Sequence, residues 1–301
     1  MTAVGIVGTG RMGSAMARAL REAGLEVILH NRTPERAAAL ARVLGCDTCA
    51  SPAEAAARAD IVLTMLADDD AVLSVWRGPN GLLAGARPGT VLVDLSTVTP
   101  DTIRSLEADV RATGAGILDS PVSGSVTLAQ SGQLTLMVGG TAEDIEQARP
   151  ALEPLAKTIV HVGPLGSGAA MKLAVNTVIF GLNEALAEGL VLAEAAGVDR
   201  SMAYDVIAAS AVGAPYVGYK RAAFLEPDAT PVAFSLDLAA KDLGLIHELA
   251  ERVGLDLPQA GTNLAAIQAA AGEIGGDADF SATAIHLRNQ RKAATPWVGG
   301  R

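Results

Sequence analysis

Two glycine-rich segments and one lysine carry most of the chemistry this sequence can offer. Gly8, Gly10 and Gly13 form a G-x-G-x-x-G run that follows the apolar stretch Ala3–Val7 and opens a helical pattern starting near Arg11 and Met12. In that context the first glycine permits a tight turn. The second lets a pyrophosphate approach the backbone, and the third lets helix lie against strand. The amides and partial positive charge of the helix start then face the phosphates. Glycine-rich turns are common, so the strand–turn–helix order is what gives the motif weight. Lys172 stands in the apolar run Ala169–Asn176, with Asn176 four residues later on the same helical face. Such a pair must point at a cleft, a partner or a compensating charge, unless the lysine carries its ammonium out to water along its stem. Partial desolvation weakens a lysine's hold on its proton, which suits proton transfer near neutrality.

Other candidates sit where apolar runs end. The second run closes on Asn31-Arg32-Thr33. NAD sites usually place an acid here to hold both ribose hydroxyls, and an acid would repel a 2′-phosphate. Asn31 in that place, with Arg32 and Thr33 able to donate to phosphate, makes NADP(H) the expected cofactor and leaves NAD(H) possible. Arg32 stacked on adenine would suit either. Met65-Leu66 and Asp94-Leu95-Ser96-Thr97 end two further runs, at the kind of position where open α/β sheets bind ligands. The small residues from Asp119 to Ser125 leave amides and hydroxyls unobstructed. Ser123, Gly124 and Ser125 therefore make either an anion pocket for a carboxylate or a serine-rich turn with a helix cap. Lys241-Asp242-Leu243 falls on a later helix and could equally be surface charge. The histidines at 30, 161, 247 and 286 are isolated, so no metal site is expected. No G-x-S-x-G elbow or Walker loop occurs. Cys46 and Cys49 form a lone C-x-x-C, better read as reduced thiols than as a redox pair.

These residues must be positioned by an α/β architecture. Strands are predicted at Ala3–Val7, Val27–His30, Ile61–Thr64, Thr90–Asp94 and Gly116–Asp119, with two more at Leu134–Val138 and Thr158–Val162. Helical patterns over Met12–Ala23, Pro34–Leu44, Thr102–Thr113 and Ala142–Leu152 alternate with them, which predicts a parallel, doubly wound sheet. After Gly163-Pro164 strand signals stop. Residues 168–196 read as one long interdomain helix, followed by helices near 199–210, 215–223, 235–253 and 258–272. The expected domains are a Rossmann domain at 1–165 and an all-α domain at 166–290, with a tail at 291–301. With aromatics at 3%, the core must come from Ala, Val, Leu and Ile. A net charge of −10, without basic clusters, argues against nucleic acid or a membrane as partner. The N-terminus shows no secretory pattern, and a cytoplasmic location is expected.

Together these segments resemble the β-hydroxyacid dehydrogenase, or 3-hydroxyisobutyrate dehydrogenase-like, family over nearly the whole chain. Its G-x-G-x-M-G motif is matched by Gly8, Gly10, Met12 and Gly13, and its D-x-P-V-S-G motif by Asp119, Pro121, Val122, Ser123 and Gly124. Its G-x-G-x-x-x-K-x-x-x-N motif is matched by Gly166, Gly168, Lys172 and Asn176, and its K-D-L motif by Lys241, Asp242 and Leu243. The resemblance implies that Lys172 is catalytic and that Asn176 helps hold a small carboxylate-bearing substrate. It implies that Ser123 and Gly124 bind the carboxylate, and that Thr97 and Lys241 contact cofactor. Members interconvert short 3-hydroxy acids with the corresponding aldehydes or ketones. The Asn31-Arg32-Thr33 run looks like the branch of NADPH-using glyoxylate and succinic semialdehyde reductases. Ser125 departs from the family, which usually has a second glycine there. The nearest rival is an imine reductase, which usually carries Asp or Tyr at the lysine position. A 6-phosphogluconate dehydrogenase-type decarboxylase would need a larger helical part, and a non-catalytic NADP-binding module would not need Lys172. The long helix implies a homodimer or homotetramer formed through the helical domain.

Overall fold

In the computed structural model, which describes residues 2–290, the β-branched runs of the first half become strands. They are β1 (Ala3–Val7), β2 (Glu26–His30), β3 (Asp47–Thr48), β4 (Ile61–Thr64), β5 (Val91–Asp94), β6 (Gly116–Asp119), β7 (Val122–Ser123), β8 (Leu134–Gly139) and β9 (Ala156–Gly163). Between them run α1 (Arg11–Glu22), α2 (Pro34–Leu44), α3 (Pro52–Arg58), α4 (Asp69–Arg77), α5 (Leu82–Gly85), α6 (Pro100–Ala112), α7 (Val126–Gln130) and α8 (Ala142–Leu152). The sheet order is β3-β2-β1-β4-β5-β6-β8-β7, with β9 beside β8. From β3 to β6 every pairing is parallel, and the order reverses direction between β1 and β4, where such sheets bind ligands.

The sheet departs from the expected all-parallel form at β8, which runs antiparallel to both β6 and β7. Between Asp119 and Leu134 the chain forms only two-residue β7 and five-residue α7, which turn it back instead of crossing over the sheet. The strands bury both faces. Ile61, Leu63, Val91 and Val93 join a core with α1 and α2, while Val62 and Leu92 point the other way into a core with α3, α4 and α6. That strict alternation is what a doubly wound sheet requires.

The chain divides into two compact units within α9 (Ser167–Ala195): one reaches Leu173 and the other begins at Ala174. These compact units part inside the helix, beyond the Gly163-Pro164 turn. At 29 residues α9 is about 43 Å long, taking ~1.5 Å per residue. The second unit continues with α10 (Arg200–Ala209), α11 (Pro215–Leu225), α12 (Leu236–Arg252), α13 (Pro258–Ile274) and α14 (Thr283–Asn289). Its core differs from the aliphatic one expected, because all four phenylalanines and all three tyrosines fall in this unit. Phe280 packs edge-on to Phe180 and Phe234, with ring centroids 6.0 and 5.5 Å apart. Among the described residues no helix is long and apolar enough to cross a membrane. The expected tail at 291–301 lies outside the described residues.

Candidate active site

The three glycines of the first turn are needed for different reasons. Gly8 has φ +103°, and a Cβ there would collide with the Met65 carbonyl oxygen at the end of β4. A Cβ on Gly13 would collide with the Gly8 carbonyl, so Gly13 is what lets α1 approach the turn. Gly10 faces the other way: it is exposed, and among the described residues no heavy atom beyond its chain neighbours lies within 4 Å of where a Cβ would stand. It is also the N-cap of α1, with no side-chain cap and no acid in the first turn. The start of a twelve-residue helix therefore opens onto space beside the β1/β4 switch point. Those residues fit a dinucleotide pyrophosphate. Arg11 beside them is exposed, while Met12 and Met65 are half-buried against the α1 core face and Leu66 against the other.

Asn31 ties this turn to the next. Its Oδ1 accepts from the Thr9 amide at 3.1 Å, and its Nδ2 donates to the Thr33 carbonyl at 3.1 Å. The side chain expected to meet the cofactor thus sets the shape of the loop that would meet it. Arg32 and Thr33 are exposed, and Thr33, the N-cap of α2, makes no side-chain cap hydrogen bond. Arg36 is exposed in the first turn of α2, a second cation near Arg32 that no motif singled out.

Two adjacent strands end in buried aspartates, Asp94 and Asp119, paired in register. Asp94 accepts from the Thr64 hydroxyl at 2.5 Å, the Ser96 hydroxyl at 2.8 Å and the Ser96 amide at 3.2 Å. The Ser96 hydroxyl in turn accepts from the Leu66 amide at 2.9 Å. One carboxyl therefore joins the Met65-Leu66 loop to the Ser96-Thr97 loop, as their candidate roles require. Burial is the main cause that pushes the Asp94 carboxyl up to about 6, with the nearby Asp119 charge adding to it. Asp119 accepts from the Gly166 amide at 2.8 Å and the Ala169 amide at 2.7 Å, at the start of α9. Burial raises its carboxyl too, opposed by those two amides.

Past Asp119, Ser123 is half-buried and Gly124 is exposed with φ +143°. The Ser125 hydroxyl accepts from the Leu128 amide at 3.3 Å, so this residue is the N-cap of α7. The helix-cap reading of the serine-rich turn is therefore realised at Ser125, while Ser123 and Gly124 precede the cap. Lys172 is half-buried on α9, three residues beyond the Ala169 amide that Asp119 holds.

In the second unit Asn176, one helical turn further along α9, is buried, and its Nδ2 donates to Asp242 Oδ2 at 2.7 Å. The other oxygen of Asp242 pairs with Lys241 Nζ at 2.8 Å. Asp242 is itself buried, so the Lys-Asp-Leu segment on α12 is not surface charge: its aspartate orients two candidate side chains at once. Cys46 and Cys49 are free, and burial pushes the Cys49 thiol up to about 11, the wrong direction for a reactive thiolate.

An open phosphate turn at the switch point of a doubly wound sheet, followed by a lysine-bearing helix, defines an oxidoreductase that uses a nicotinamide dinucleotide. The family described as the NAD binding domain of 6-phosphogluconate dehydrogenase matches residues 3–163. That described as the NAD-binding of NADP-dependent 3-hydroxyisobutyrate dehydrogenase matches residues 166–287. Glyoxylate/succinic semialdehyde reductase 2 of Arabidopsis thaliana is 35% identical over 285 residues, covering 95% of this chain and 79% of that protein. The Mycobacterium tuberculosis 3-hydroxyisobutyrate dehydrogenase structure with L-serine superposes with a TM-score of 0.83 at 33% identity, covering 96% of this chain and 99% of that one. An imine reductase from Pseudomonas sp. shares the fold, with a TM-score of 0.65 at 23% identity and 95% and 99% coverage. The chain belongs to the β-hydroxyacid dehydrogenase, or 3-hydroxyisobutyrate dehydrogenase-like, family.

Proposed function

We propose that this protein is an NADPH-dependent reductase of a short aldehyde or keto acid, with Lys172 as the proton donor. The observation that carries the proposal is the end of β6, where one strand leads on to the small-residue turn Ser123-Gly124 and is bonded to the helix bearing Lys172. The similarity to a glyoxylate/succinic semialdehyde reductase supports an acid aldehyde or a keto acid as substrate. Exposed Arg32 and Thr33 just after β2 and Arg36 in the first turn of α2, with no acid between Asn31 and Pro34, support NADPH over NADH.

When bound, the nicotinamide supplies the hydride that reduces the carbonyl carbon, and takes it back in the oxidation direction. The chain's own part is electrostatic and protonic. Gly8, Gly10, Arg11, Met12 and Gly13 would hold the pyrophosphate turn, and Asn31 would keep Arg32 and Thr33 in place for the 2′-phosphate. Met65, Leu66 and Thr97 would complete the cofactor contacts of the first unit. Ser123 and Gly124 offer a hydroxyl and an amide to the substrate carboxylate, and Asn176 assists. Lys172 Nζ hydrogen-bonds the carbonyl oxygen and gives it a proton as negative charge develops, leaving a neutral amine that solvent reprotonates. In oxidation the neutral amine takes the hydroxyl proton.

Steady-state oxidation of NADPH and NADH is measured with glyoxylate, succinic semialdehyde, methylmalonate semialdehyde and one cyclic imine. Faster turnover of an acid aldehyde or keto acid with NADPH is expected, and Lys172→Ala should lower kcat by about 10²–10⁴ while still binding NADPH. Full activity of Lys172→Ala, or turnover of the imine alone, defeats the proposal. We also propose that the second unit pairs with another copy: Val178 and Leu192 on α9 stand 69% and 71% exposed, and Met202 and Val206 on α10 62% and 64%. A light-scattering mass of one chain would dismiss the pairing.

A further inference from the structure

Most helices in this fold that have a side-chain cap take it from the residue just before them: Ser51 caps α3, Asp68 α4, Thr99 α6, Thr141 α8 and Asp199 α10. At the start of α9 two amide donors go instead to a carboxylate far away in sequence. Asp119, 47 and 50 residues upstream of its partners, binds the Gly166 amide through Oδ1 and the Ala169 amide through Oδ2. Both oxygens are committed, so the carboxylate sets the direction of the first helical turn as well as its position. The surrounding backbone is equally close. A Cβ on Gly139 would stand 2.9 Å from the Gly168 amide and from the Pro164 carbonyl, and one on Gly168 would stand 2.8 Å from the Asp119 carbonyl. Arg104 adds one further tie, its Nε donating to the Leu165 carbonyl at 3.2 Å.

We propose that Asp119 is the positioning residue of the active site, holding α9 against the end of β6 so that Lys172 is presented at a fixed place relative to Ser123 and Gly124. Ala169, which Asp119 grips, is less than one helical turn before Lys172, while Ser123 is four residues after Asp119. A small tilt of the first turn is passed directly to the lysine, with little intervening chain to absorb it. With each oxygen already bonded to a backbone amide, Asp119 acts through Lys172. The proposal rests on Lys172 being the proton donor.

The test is a double-mutant cycle on the full chain with Asp119→Asn, Lys172→Ala and the pair, read by steady-state kinetics and single-turnover hydride transfer. Asparagine keeps one acceptor and turns an amide nitrogen toward the other backbone donor, so the helix start must shift. A displacement of about 1 Å costs on the order of 100-fold in rate, and kcat of Asp119→Asn should fall by roughly 10- to 100-fold. The NADPH dissociation constant should stay within about twofold, since the phosphate turn is untouched. The double variant should be no slower than Lys172→Ala alone, because a positioning residue has nothing left to position. Asp119→Glu, which keeps charge and both acceptors but moves them by one methylene, gives the same reading should the asparagine variant fail to fold. Unchanged kcat in Asp119→Asn and Asp119→Glu, or losses that multiply in the double variant, overturns the proposal while leaving the role of Lys172 intact. Full activity in Lys172→Ala overturns that role instead, and the dependent proposal with it.

Discussion

Asp94 offers a sharp test of how the strand ends are held. Its carboxyl is 1% exposed and takes three hydrogen bonds, yet burial and the Asp119 charge move it from 3.8 to about 6. A raised carboxyl is favoured in the folded state when protonated. Its contribution to stability is therefore complete below pH 3.8 and lost as pH rises through about 6. At about 1.36 kcal/mol per tenfold the full swing is roughly 3 kcal/mol, of which some 2–3 kcal/mol falls between pH 4 and pH 7. Asp94→Asn removes the titration. Its amide oxygen can still accept from the Ser96 amide while its nitrogen donates to the Thr64 and Ser96 hydroxyls, so any residual cost of the exchange does not vary with pH. Urea unfolding of both proteins from pH 4 to pH 7, followed by circular dichroism, isolates the effect as a difference. The native protein should hold its largest advantage over the variant at pH 4 and lose 2–3 kcal/mol of it by pH 7. A difference that stays flat across this range, or that grows with pH, would show that Asp94 is held ionised and that the desolvation account is wrong.

Glu184, in the second unit, is pushed from 4.5 to about 7, with burial the main cause, while the Asn183 amide donates to it at 2.9 Å. Its contribution is likewise lost as pH rises from 4.5 through about 7, so Glu184→Gln should gain up to about 3 kcal/mol relative to the parent between pH 5 and pH 8, read from paired thermal melts; parallel melting curves at both pH values would contradict this. Gly13→Ala should cost roughly 1–3 kcal/mol, because its Cβ meets the Gly8 carbonyl, and should weaken NADPH binding measured by cofactor fluorescence. Native affinity and stability in that variant would mean the turn relaxes freely.

Much of this was legible in the residues. The short β-branched runs marked seven strands, and Pro34–Leu44 and Ala142–Leu152 coincide with α2 and α8 as observed. The open turn at Gly10 follows from a motif whose glycines are needed by backbone contact, which leaves a plain sequence mark. Short elements were not legible: β7 and α7 span two and five residues, too few for a period to register, so the antiparallel return of β8 could not be foreseen. The aromatic core escaped for another reason, since a low overall percentage hides the fact that seven aromatic residues share one unit. Asp94, Asp119 and Asp242 looked like ordinary parts of motifs. Most of their partners are backbone amides, hydroxyls and a side-chain amide 30 to 66 residues away, and such pairings leave no local pattern.

The two strand-end aspartates also divide their labour in a way that burial alone would not require. They are neighbours in register, so their charges oppose one another, and both carboxyls are raised. Asp119 faces two backbone amides at the start of a 29-residue helix, whose aligned dipoles and fixed donors stabilise an anion. Asp94 faces two hydroxyls and one amide, and hydroxyls can turn to accept as readily as they donate. A proton taken up by Asp94 near pH 6 is therefore accommodated by rotating hydroxyls. Asp119 has no such hydroxyl partners: its two oxygens accept from the Gly166 and Ala169 amides, and through them it holds the start of α9.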